Sequence, residues 1–219
     1  RTHIEYIINC PDNDYTDNAL LLAARMDYDE TNYAASAEHY ERLLDITEIQ
    51  DVMTEAIEGC MKSYYFDKQY DKAIEKANRL IAMQDIDINK KKQANYITGK
   101  SFFDKEDYPE ALKYLEICSN IDNNETGAEC AYLSTICLYN MQQYDDAEEK
   151  VFFVSDKFSN YVEWTARSFI VLSDVYVAKD NIFQAKETLK SVIENYPEDD
   201  ANYEEIVSMA QEKLEVINN

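Results

Sequence analysis

Apolar and polar positions along this chain repeat on two scales at once. Within each segment the apolar side chains return every three or four positions, the period of an amphipathic helix. Over a longer interval the whole arrangement recurs. With Ala111 as anchor, the equivalent positions are Ser36, Ala73, Ala111, Ala147 and Ala185, at intervals of 37, 38, 36 and 38 residues. Three residues before each anchor stand Tyr33, Tyr70, Tyr108, Tyr144 and Ile182, and nine before it stand Asp27, Tyr64, Phe102, Leu138 and Tyr176. Four after it stand Tyr40, Ala77, Leu115, Val151 and Leu189, and seven after it Leu43, Leu80, Cys118, Val154 and Val192. A small residue ringed by bulky ones is what two antiparallel helices need in order to touch. A fixed period in this range marks stacked helical hairpins, none of which buries its apolar face alone.

The predicted elements follow in order. Residues 2–9 read as the closing helix of an earlier hairpin, stopped by Pro11. Five helix pairs come next: 16–29 with 33–46, 51–66 with 70–83, 89–103 with 109–121, 127–141 with 144–158, and 162–178 with 183–195. A final helix covers 203–217. Glu30-Thr31-Asn32, the stretch from Asn123 to Gly127 and the stretch from Tyr196 to Asp200 supply turns. Pro109 falls at the first helical residue, where its missing N–H costs nothing, with Asp107 beside the cap. In the last helix Ile206, Met209, Ala210 and Leu214 form one stripe, while Glu204, Glu205, Gln211, Glu212 and Lys213 face away, the pattern of a terminal cap. The chain opens at Arg1 inside an apolar-periodic stretch with no such cap, so the expectation is a fragment of a longer array. The organisation expected is one all-α solenoid over 1–219: a tail at 1–11, repeats at 12–49, 50–87, 88–124, 125–160 and 161–200, and a capping helix at 201–219.

Gly99, Phe102, Tyr108, Ala111 and Leu115, together with Phe169, Tyr176, Ala185, Leu189 and Pro197, resemble the tetratricopeptide repeat, a helix–turn–helix unit. The resemblance covers nearly the whole chain. It implies a right-handed superhelix of antiparallel helix pairs, acting as a scaffold for protein partners, with no cofactor. The spacing is longer than the family's usual period, Asn95 occupies a normally apolar position, and Asp27 stands where a bulky aromatic is expected. The acidic, Tyr- and Asn-rich character and the YPEDDANYEEI ending are also similar to cell-envelope repeat proteins of Bacteroides-like bacteria. That similarity implies a periplasmic or outer-membrane-associated location, with the cytoplasm as the alternative.

Composition narrows the function. Forty-four acidic residues against 21 basic give a net charge of −23, which repels phosphate backbones and disfavours nucleic acid as a partner. No apolar run reaches membrane-spanning length. The cysteines at 10, 60, 118, 130 and 137 form no CxxC pair and read as small apolar packing residues. His3 and His39 lack ligand partners at helical spacing, and no phosphate-binding or nucleophile motif is present. Asp12-Asn13-Asp14 and Asp199-Asp200 lack the glycine and closing glutamate of a calcium loop. The expectation is a protein that is not an enzyme and holds no metal.

In stacked hairpins the first helix of each pair lines the inner face, so equivalent positions form rows. Eleven before the anchor stand Arg25, Lys62, Lys100, Ile136 and Asp174; eight before it stand Tyr28, Tyr65, Phe103, Tyr139 and Val177; fifteen before it stand Leu21, Glu58, Tyr96, Tyr132 and Ile170. Three successive cations are unexpected in so acidic a chain. The expected groove is Arg25, Tyr28, Lys62, Tyr65, Tyr96, Lys100, Phe103, Tyr132 and Tyr139, binding a peptide or protein by ring contact and by charge-assisted hydrogen bonds to a carboxylate or acidic segment. The plainer account is that the tyrosines pack between helices and that Lys62 pairs with Glu58 one turn earlier. The other functions open to such a chain are a structural spacer or self-assembling segment of a larger envelope protein, or an accessory region whose active domain lies elsewhere.

Overall fold

A computed structural model of the chain describes residues 2–9 and 15–218. Pro11 as a helix stop, Cys10 and the Asp12-Asn13-Asp14 stretch lie outside the described residues, as does the side chain of His3. Among the described residues every regular element is α-helical: α1 (Thr2–Ile8), α2 (Thr16–Asp29), α3 (Tyr33–Ile46), α4 (Gln50–Phe66), α5 (Tyr70–Ala82), α6 (Ile88–Asp104), α7 (Tyr108–Ile121), α8 (Glu125–Asn140), α9 (Tyr144–Lys157), α10 (Val162–Ala178), α11 (Ile182–Asn195) and α12 (Tyr203–Asn218). Two compact units contain them, Arg1–Lys105 and Glu106–Asn219.

Both units obey one packing rule. In the first, α1 to α6 each pack on the next helix, and α4 also touches α2 and α6. In the second, α7 to α12 pack in sequence, and α10 also touches α8 and α12. The small anchor residues lie inside these helix contacts: Ala73, Ala111, Ala147 and Ala185 are wholly buried, and so is Ser36. Ser36 Oγ satisfies itself by hydrogen bonding Ala24 O at 2.9 Å and lying 2.9 Å from Ser63 Oγ. Leu43, Leu80, Cys118 and Val154, all buried, lie two turns on along the same helices.

The hairpin turns are the most regular feature. Thr31, Lys68, Glu106, Gln142 and Asp180 all have φ near +60°, and each lies five residues before an anchor. A left-handed residue at this point ends the first helix of the pair. The following N–H then reaches back five residues: Asn32 N to Asp27 O at 2.7 Å, Gln69 N to Tyr64 O at 2.8 Å, Gln143 N to Leu138 O at 2.9 Å and Asn181 N to Tyr176 O at 2.8 Å. Two residues after the left-handed one, the second helix begins at Tyr33, Tyr70, Tyr108, Tyr144 or Ile182. Non-glycine residues adopt this φ at a cost of roughly 1 kcal/mol, and a β-branched side chain is the least suited. Thr31→Gly therefore raises stability by about 0.5–1 kcal/mol, measured as a higher urea midpoint at unchanged slope. An unchanged or lower midpoint refutes this account of the turn.

The boundaries differ from the sequence expectation in informative ways. Gly127 is not a turn residue but sits in the first turn of α8, where Asn124 Oδ1 accepts its N–H at 3.0 Å. Asp107 is itself the cap of α7, accepting from Glu110 N at 3.4 Å, which moves Pro109 one residue inside the helix. Asp27 is buried where a large aromatic was expected, and its Oδ2 lies 3.0 Å from Nδ1 of His39. On α12, Ile206 and Ala210 are buried with Val207, and Met209 and Leu214 pack beside them. Glu205 and Lys213 do not face away: they pair with Arg167 at 2.6 Å and Asp174 at 2.7 Å on α10.

Candidate functional site

Seven of the nine expected groove residues belong to the first unit, and α2, α4 and α6 carry all of them. Because α4 touches both α2 and α6, charged side chains bridge from helix to helix. Arg25 on α2 is half exposed and its guanidinium is held by Glu55 on α4, with Nε donating to Oε1 at 2.7 Å. Lys62 on α4 donates to Glu58 Oε1 at 2.6 Å, the pairing one turn back that the sequence allowed, and Lys90 on α6 binds the other oxygen of the same carboxylate. Burial pushes the Glu58 carboxyl up, but the hydrogen bonds from Lys62 and Lys90 outweigh it and hold the group below its ordinary range. Lys100 on α6 donates to Tyr96 Oη at 3.1 Å, and its ammonium lies 5.1 Å from the Tyr96 ring centre and 5.9 Å from that of Tyr65. Each of the three cations is thus already engaged by another side chain of these helices.

The aromatic row has a structural duty. Tyr28 meets Tyr33 edge-on at 5.4 Å and Tyr65 lies 5.9 Å from Tyr70, each ring packing on the tyrosine that starts its own hairpin's second helix. Phe66 adds a stacked contact with Tyr33 at 5.1 Å. Tyr65 Oη also donates to Asp104 Oδ2 on α6 at 3.0 Å. Phe103 is partly exposed near the end of α6. In the second unit Tyr139 repeats the motif against Tyr144 at 5.9 Å, and Tyr132 lies 5.7 Å from Trp164 on α10. Burial raises the phenols of Tyr28, Tyr132 and Tyr139 above their ordinary range, so all three are neutral hydrogen-bonding groups at pH 7. These rings keep a partly exposed edge, but packing fixes their positions.

Sequence reasoning missed one residue of this region and one recurring tie. Tyr40, assigned to the core four residues after its anchor, reaches across α4 at Gly59, where its ring occupies the space a Cβ would need. With Thr54, Glu55, Glu58 and Lys62 it borders a concavity of about 500 Å³. The recurring tie joins an acid five residues after one anchor to a lysine three after the next. Glu41 meets Lys76 at 2.8 Å in the first unit, and Glu116 meets Lys150 at 3.0 Å in the second. Both were visible in the same arithmetic that found the repeats, had the second helices been searched for polar rows. Among the described residues no set of His, Cys, Asp and Glu is grouped to hold a metal ion. Among the same residues no helix is long and apolar enough to cross a membrane.

Paired antiparallel helices with buried small anchors, a left-handed turn residue and a recurrent 36–38-residue period define an array of tetratricopeptide-type repeats. Comparison with known families agrees: residues 172–199 match the tetratricopeptide repeat, and residues 66–154 match the family described as anaphase-promoting complex, cyclosome, subunit 3. Among solved structures the chain is similar to YrrB, a TPR protein with an unusual peptide-binding site, at 17% identity and a TM-score of 0.67, covering 97% of both chains. It is similar to MamA at 16% identity and a TM-score of 0.67, over 83% of this chain and 92% of the other. A tetratricopeptide repeat protein from Parabacteroides merdae ATCC 43184 aligns at 11% identity and a TM-score of 0.56, over 96% and 90%. No curated protein matches the sequence.

Proposed function

We propose that this chain is a non-enzymatic interaction array that binds a peptide or protein segment along the wall formed by α2, α4 and α6. One observation carries the reading: polar and aromatic side chains of these helices reach from each to its neighbour, as in Arg25 to Glu55, Lys90 to Glu58 and Tyr65 to Asp104. Such a surface is pre-positioned, so a ligand meets ordered groups and pays little to organise them. The similarity to YrrB supports a peptide as the occupant. In this reading the ring edges of Tyr28, Tyr65, Tyr96 and Phe103 supply contact area, with Tyr132 and Tyr139 as the corresponding surface of the second unit. Arg25, Lys62 and Lys100 take carboxylates of the partner by exchange with the wall's own acids.

The test is an array of immobilised acidic, basic and neutral peptides probed with the whole chain. Lys62→Glu combined with Lys100→Glu is expected to lower binding of the selected acidic peptides by at least about tenfold, the loss of more than one charge-assisted contact. Equal binding by parent and variant sinks the carboxylate reading. If no peptide of any class is retained while the mass measured by light scattering grows with concentration, self-association replaces peptide binding.

A further inference from the structure

The concavity at Tyr40 is not explained by packing. Tyr40 is only 5% exposed, yet the end of its ring borders open space beside Gly59, with Asp51 and Glu58 among the other lining residues. Among the described residues nothing hydrogen-bonds to its hydroxyl, whereas the Tyr64 hydroxyl donates to Glu41 at 2.9 Å. A phenol carried to the floor of a polar recess without a partner is an unfilled hydrogen-bonding site. Gly59 is what admits it: an added Cβ would lie 2.3 Å from Tyr40 Cζ, the carbon that bears the hydroxyl.

The surrounding charge decides what fills the site. A second concavity of about 660 Å³ shares Asp51, Thr54 and Lys90 with the first and adds Asp85 and Asp87. Together the two present the carboxylates of Asp51, Glu55, Glu58, Asp85 and Asp87 against the ammonium groups of Lys62 and Lys90. Both lysines are already committed to Glu58. Asp51 and Glu55 lie one helical turn apart on the same face of α4, and Asp51 is exposed and forms no ion pair among the described residues. Asp51 and the Tyr40 hydroxyl are therefore open acceptors, and Glu55 between them is held only by the half-exposed Arg25.

We propose that this recess is a socket for an arginine side chain of the bound peptide, its guanidinium shared between Asp51, Glu55 and the Tyr40 hydroxyl. A planar group with five donors in a fixed fork fits several separated acceptors, which a compact ammonium serves less well. Glu55 would exchange Arg25 for the incoming guanidinium, leaving Arg25 to a carboxylate of the same partner. The proposal rests on the inner wall of the first unit being the peptide site and adds the chemistry of one anchor residue.

The experiment titrates the whole chain with three blocked tripeptides, acetyl-Gly-X-Gly-amide with X as arginine, citrulline or glutamate, followed by NMR at the Tyr40 ring and the Gly59 amide. The arginine peptide is expected to shift both signals, and its isosteric neutral counterpart to shift neither. Tyr40→Phe keeps the ring over Gly59 and removes only the hydroxyl, and Asp51→Asn removes an exposed charge. Each is expected to weaken arginine-peptide binding by about tenfold, the size of one lost hydrogen bond to a charged group. Shifts with the glutamate peptide in place of the arginine one, or equal affinity in both variants, overturn the socket. Lys100→Glu separates this proposal from the carboxylate reading. Arginine-peptide shifts that survive it while acidic-peptide binding is lost support both; an arginine response with no acidic-peptide selection on the array leaves the socket standing alone.

Discussion

Lys76→Ala is expected to lower stability by about 2–3 kcal/mol, read as a fall in the urea midpoint at constant slope. Lys76 lies on α5 with a side chain only 9% exposed, its ammonium 2.8 and 2.9 Å from the two oxygens of Glu41 on α3. The same carboxylate accepts from Tyr64 Oη at 2.9 Å, so three helices meet at one charge. Burial, and then the Glu41 hydrogen bond, raises the Tyr64 phenol above its ordinary range. Removing the lysine leaves that charge without its counter-ion. The cost falls below the ~3–5 kcal/mol of a fully enclosed pair because Glu41 remains 34% exposed and recovers some hydration. The matched double change, Glu41→Gln with Lys76→Met, should return most of the loss. A single-variant loss under about 0.5 kcal/mol would falsify the buried tie and class it with solvated surface pairs.

Gly127→Ala is expected to cost about 2 kcal/mol, against the usual sense of that substitution in a helix. Alanine is ordinarily favoured over glycine there by roughly 1 kcal/mol. Here the new Cβ would stand 2.4 Å from the backbone oxygen of Asp122 and 3.2 Å from Cε1 of Phe158, which is wholly buried. A backbone carbonyl cannot rotate away as a side chain would. The start of α8 must shift from the end of α7, an overpacking penalty of roughly 1–3 kcal/mol. Thermal and urea unfolding of the variant give the sign directly. A stability equal to or above the parent would show that the two helix ends separate without cost.

Much of this architecture could be read before any coordinates, because repetition amplifies a weak motif. A single Ala with a tyrosine three residues earlier says little. Three such pairs, with Ser36 after Tyr33 and Ala185 after Ile182 in the same register, locate the helix contacts, and Ala73, Ala111, Ala147 and Ala185 are wholly buried there. The same arithmetic placed Arg25, Lys62 and Lys100 on the first helices of their pairs. It offered Glu58 to Lys62 but neither Glu55 to Arg25 nor Lys90 as the second cation on Glu58, since those pairs lie 30 and 32 residues apart. Charge partners on a surface this acidic are too numerous for spacing to choose among them. Sequence spacing could not give the aromatic row its role, because whether Tyr28 faces a ligand or Tyr33 depends on the path of a three-residue turn.

What the sequence determined by itself was the local order: helical segments, where each hairpin turns, and which small residues must lie against a neighbour. These are set by interactions within a few turns, where side-chain size and backbone preference act directly. Only the tertiary structure decided that Tyr40 crosses α4 over Gly59, that Glu58 serves two lysines and that Asp27 is buried beside His39. Each of these depends on how closely two helices approach, and a difference of one ångström in that approach separates an open recess from a filled one.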